Sequence, residues 1–91
     1  MTIDIEDACY GDLTLMSSND EMSPNVFYVS GGDNVVLCEI GRHILLSSTK
    51  IGRAYTGEVE GFDVENGTIL LYGWGHKKVS NFEYFASMPR F

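Results

Sequence analysis

Two β-prone runs meet at Asn66-Gly67, and no other feature of the 91 residues restricts the fold as strongly. The stretch is Arg53 to Tyr72, RAYTGEVEGFDVENGTILLY. Asn-Gly between two such runs predicts a hairpin, because both residues tolerate the positive φ that a type I′ turn demands. Within the hairpin the face parity changes. Tyr55 and Val59 share one side and Glu58 and Glu60 the other, yet Phe62 and Val64 are apolar at positions that continue the glutamate parity. A bulge or sharp bend at Gly61 reconciles the two halves, and Gly57 is a second candidate hinge.

The flanking sequence repeats the same grammar. Val26 to Ser30 and Val35 to Ile40 are compact runs of branched and aromatic residues separated by the turn Gly31-Gly32-Asp33-Asn34, which gives another hairpin. His43 to Ser48 is a further apolar strand, and Lys50-Ile51-Gly52 turns it into the Arg53 run. Strands arriving every eight to twelve residues, with no helical stretch between them, predict an all-β, strongly bent antiparallel barrel or sandwich rather than parallel βαβ units. Residues 2–11 read as either strand or short helix, since Ile3 and Ile5 alternate with acids while Gly11 would serve as a helix stop. Leu13 and Leu15 mark a strand, and Ser17 to Asn25 is a loop of turn formers. Near the C-terminus, Ser80 and Glu83 have the spacing of a capping box, and Phe82, Phe85 and Met88 have helical spacing, so one short helical or 3₁₀ turn is expected there.

Ile44 to Leu71, ILLSSTKIGRAYTGEVEGFDVENGTILL, resembles the first motif of the Sm-like family in Gly52-Arg53, Gly57, Gly61-Phe62-Asp63 and Asn66. The same turn glycines and alternating apolar residues are similar to those of SH3-like barrels. The resemblance implies a small curled barrel. It does not extend to the residues through which the Sm-like family reads RNA: Asp63-Val64-Glu65-Asn66 is one residue shorter than that pattern and lacks its Met, and GWGHKKVSNF has no Arg-Gly pair. No RNA-contacting residue is carried over.

A chain of this length is a single domain, residues 1–91, able to bury about 60–65% of its unfolded surface. No apolar run approaches the roughly 18 residues that span a bilayer, and MTIDIEDACYGD begins with acids where a signal peptide needs positive charge, so a cytoplasmic protein without a membrane partner is expected. Cys9 and Cys38 match no metal-ligand spacing and read as free thiols, Cys38 as a small buried hydrophobe.

Charge is the feature that bears on function. The net charge is −7, and its distribution is uneven: residues 1–41 hold eight acids and no Lys or Arg, while residues 42–91 hold five acids and six basic residues. Such a chain repels phosphate backbones over one half and favours a partner with a basic surface. Solubility alone would also account for the acids.

His43 and His76 are the only histidines, and nothing in their spacing suggests a metal or hydrolytic site. His43, opening an apolar strand, reads as structural. Gly73-Trp74-Gly75 lacks the helix start that a phosphate-binding loop needs. Neither an enzyme nor a cofactor is therefore expected. The leading expectation is a non-catalytic acidic module that occludes a basic surface of a nuclease or nucleic-acid-binding complex, as nuclease inhibitors, immunity proteins and DNA-mimicking anti-defence proteins do. Asp4, Glu6, Asp7, Asp12, Asp20 and Glu21 would supply the charge and Trp74 an anchor. The alternative is a nucleic-acid-binding barrel that stacks a base on Trp74 with His76, Lys77 and Lys78 beside it. A third reading has Trp74 folded back to plug the barrel. Phe91, an apolar terminal residue, would suit docking on a sister subunit in a homodimer.

Overall fold

The computed structural model describes residues 7–17 and 25–88. It contains β1 (Ala8–Tyr10), β2 (Thr14–Ser17), β3 (Val26–Gly31), β4 (Asn34–Glu39), β5 (His43–Ser48), β6 (Arg53–Asp63), β7 (Thr68–Leu71), β8 (Gly75–Lys78), a 3₁₀ turn (Val79–Asn81) and β9 (Tyr84–Met88). All pairing is antiparallel. The strands form a six-stranded sheet in the order β1-β9-β5-β6-β7-β8 and a three-stranded sheet in the order β2-β3-β4. The all-β expectation holds. Among the described residues the pairing does not close into a barrel: each sheet keeps two free edges.

The core follows from period-2 alternation. Phe27 and Val29 of β3 and Val36 and Cys38 of β4 point inward, as do Ile44 and Leu46 of β5, Ile69 and Leu71 of β7 and Phe85 of β9, all essentially without exposure. The two sheets approach through β1 and β9 against β3 and β4, and Phe27 also lies 4.7 Å, centroid to centroid, from Phe62 of β6. Phe62 reaches that position because β6 changes parity. Val59 pairs with Leu71 but Gly61 pairs with Leu70, so Glu60 is the extra, bulged residue. The first half of β6 pairs with β5 and the second with β7, and the bulge puts Val59 and Phe62 on the same inner side. The bend expected at Gly61 is thus present. Gly57 is no hinge, since the β5–β6 register runs through it without a shift.

Several local expectations need correcting. The β6–β7 connection is not a type I′ turn: no described non-glycine residue has positive φ, and Gly67 alone adopts it, at 67°. Asp63 decides the turn, since its Oδ1 accepts from Asn66 N at 3.3 Å and its Oδ2 from Asn66 Nδ2 at 2.6 Å, organising a loop of residues 64–67. In the first hairpin the ladder extends to Gly31 and Asn34, leaving Gly32-Asp33 as the turn. Residues 8–10 are strand rather than helix because Cys9 buries itself while pairing with Phe85; residues 2–6 lie outside the described residues, as does most of the Ser17 to Asn25 loop. The C-terminal run holds the 3₁₀ turn, but Phe82 and Phe85 are buried through a return to extended backbone, and Phe85 and Met88 belong to a strand.

Glu83 forms no capping box. Its Oε1 accepts from Thr49 N at 3.1 Å and from Thr49 Oγ1 at 2.7 Å, fastening the β5–β6 turn to the segment entering β9. Hydrogen bonds from Ser48 and Thr49 hold its carboxyl at about 2, against an ordinary value of 4.5. A folded-state pKa lowered in this way stabilises the fold above the unfolded value and ceases to do so as pH falls through the folded one. Glu83→Gln is therefore expected to lower the thermal midpoint at pH 7, with the gap to the parent narrowing between pH 4.5 and about 2. Thermal melts across that range check it.

Candidate functional site

Asp7 and Asp12 are exposed and flank β1, an edge strand. Gly11 and Gly32 approach so closely that a Cβ on Gly11 would lie 2.8 Å from Gly32 N, and the residues that follow them in the chain are Asp12 and Asp33. Asp33 is also exposed. None of the nine described acids is buried, and among the described residues the only ion pair is Arg42 Nε with Glu39 Oε1, 3.9 Å apart. Asp4, Glu6, Asp20 and Glu21 lie outside the described residues, as does Phe91.

Trp74 sits in the β7–β8 connection between Gly73 and Gly75, both with φ near +80°. It does not plug the interior, being 50% exposed. Its Nε1 donates to the Thr56 carbonyl at 3.0 Å. Beneath it is Gly57, where a Cβ would fall 3.6 Å from Trp74 Cδ1 and 3.3 Å from the Tyr72 carbonyl oxygen. Gly57 therefore serves as a floor for the indole. Tyr55 meets Trp74 edge-on at 5.0 Å and Phe82 edge-on at 5.8 Å. Lys77 Nζ lies 4.5 Å from the centre of the Tyr55 ring, and Arg53 Nη1 donates to Tyr55 Oη at 3.2 Å. The Arg53 hydrogen bond, against the opposing effect of burial, holds the Tyr55 phenol below its usual range, with the charges of Arg53 and Lys77 adding to it.

The loop constellation Trp74, His76, Lys77 and Lys78 is consequently split. Lys77 pairs with buried Ile69 and turns toward Tyr55, while His76 and Lys78 alternate to the opposite face of β8, opposite Leu70 and Thr68. His76 there contributes a minor part of the depression of the Asp63 carboxyl, whose main cause is the Asn66 side chain. Tyr55 and Arg53 are the residues that sequence reasoning left out. Their signal was available, since Arg53, Tyr55 and Gly57 share a face by alternation and the glycine leaves room for a ring from the next strand.

Both cysteines are free and buried, and burial pushes each thiol up to about 11, so neither is a thiolate near neutral pH. His43 is exposed at the start of β5, opposite Glu58 and Met88. No group of three or more His, Cys, Asp or Glu suited to a metal occurs among the described residues, and no described helix is long and apolar enough to cross a membrane. Comparison with known protein families, curated proteins and solved structures gives no match for this chain.

Proposed function

We propose that this chain is a non-catalytic, cytoplasmic protein-binding module, a small curled β-domain of SH3-like or Sm-like kind whose carboxylates occlude a basic surface on a partner such as a nuclease or a nucleic-acid-binding complex. The observation that carries the reading is the state of the acids: of the nine described carboxylates none belongs to a buried residue, only Glu83 is drawn into the structure, through Thr49, and among the described residues only Glu39 is in an ion pair. Carboxylates neutralised within their own chain would have little field left for a partner; these retain theirs. Asp12 and Asp33 each follow a glycine of the close Gly11–Gly32 contact, and Asp7 and Asp12 flank an edge strand, which supports the reading that part of the charge is held on ordered backbone. The bend in β6 at Glu60-Gly61 supports the curled-domain part of the proposal.

The test is affinity capture from the native host with the parent chain and with a variant in which Asp4, Glu6, Asp7, Asp12, Asp20 and Glu21 become Asn or Gln. The proposal expects a basic protein retained by the parent and lost by the neutralised variant. Capture that survives neutralisation unchanged would contradict it.

A further inference from the structure

We propose that Trp74, Tyr55, Lys77 and Arg53 form a stacking platform for single-stranded nucleic acid, separate from the acidic surface and not dependent on its role. In the strand order β1-β9-β5-β6-β7-β8, the strand between Asp7 and Asp12 and the strand that follows Trp74 occupy opposite edges.

The platform is built before any ligand arrives. The hydrogen bond to Thr56, the Tyr55 wall and the bare Gly57 floor fix the indole, while half of its surface stays open. A ring already immobilised loses little conformational freedom when something stacks on it. Two cations stand beside it through Tyr55, Lys77 over the ring and Arg53 at the hydroxyl, and the one ion pair among the described residues uses neither. Cations in this position oppose a guanidinium or ammonium on the same surface and favour a ligand that is both planar and anionic. A nucleotide strand has that chemistry at every step, a base for the indole and a phosphate for each cation, and stacking on an aromatic side chain tolerates any base. An acidic peptide supplies the charge without the planar group, so it is the competing outcome in the test.

The chain has one tryptophan, so emission excited at the red edge, where its five tyrosines do not absorb, reports this site alone. Titrating the full chain with polyuridylate at about 50 mM salt is expected to quench the emission saturably. With two phosphates neutralised, the log–log salt slope is about −1.4, so affinity falls roughly sevenfold on going to about 200 mM. The Arg53→Gln, Lys77→Gln double variant keeps its indole and is expected to lose at least tenfold in affinity. Three results would each overturn the proposal: no quenching at low salt, quenching undiminished in the double variant, or polyglutamate competing as well as polyuridylate.

Discussion

Phe27→Ala is expected to cost about 3–5 kcal/mol, the range for emptying a fully buried aromatic site. Phe27 has no solvent exposure, and its ring lies 4.7 Å from that of Phe62, the residue that the β6 bulge delivers to the interior. The substitution removes the contact by which the three-stranded sheet grips the bent strand, and neither side can collapse into the space without moving a sheet. A domain of this size has about 5–15 kcal/mol of stability in all, so the loss is a large fraction of it. In a thermal melt the midpoint should fall by roughly 12 °C or more. A fall of only a few degrees would mean that the β1 and β9 contacts with β3 and β4 hold the sheets together without the Phe27–Phe62 pair.

Gly32→Ala is the second large effect, and its size can be separated into parts. Gly32 has φ +59°, and a Cβ there would lie 2.6 Å from the Tyr10 carbonyl oxygen, a backbone atom that cannot swing aside. Left-handed backbone costs an L-residue about 1–2 kcal/mol, and forced overlap adds about 1–3 kcal/mol. Gly52→Ala provides the comparison: its φ is +71° but no atom lies within 4 Å of the would-be Cβ. Urea melts should therefore place the Gly32 variant about 1–3 kcal/mol below the Gly52 variant, the difference being the overlap alone. Equal losses would show that the β1–β2 connection does not rest on the β3–β4 turn.

Much of this architecture was legible in the chain because strand alternation is a local signal. The runs from Val26, Val35, His43 and Arg53 became strands, and the parity change between Val59 and Phe62 announced the bulge, since only an extra residue places both inside. What failed was settled by partners that spacing does not reveal. Asn66-Gly67 suggested a type I′ turn, but the Asp63 carboxylate, three residues earlier, offers the Asn66 amide an acceptor and organises a longer loop. Ser80 and Glu83 suggested a capping box, but the Glu83 carboxylate goes to Thr49, 34 residues away.

The surfaces show the same division. Trp74 was conspicuous from its flanking glycines, whereas its companions come from β6, and the strand period of β8 removes His76 and Lys78 from its side. The excess of acids in the first half was plain from composition, but their arrangement depends on the meeting of Gly11 and Gly32, two glycines from different turns.

Steering of a basic partner by the acids is tested most directly by the rate of association. For the captured partner, the parent chain should show an association rate constant that falls steeply with ionic strength, because steering by unpaired surface charge is screened within about 8–10 Å at physiological salt. The variant lacking the charges of Asp4, Glu6, Asp7, Asp12, Asp20 and Glu21 should associate slowly and almost independently of salt. An association rate for the parent that does not change between low and physiological salt would contradict the account.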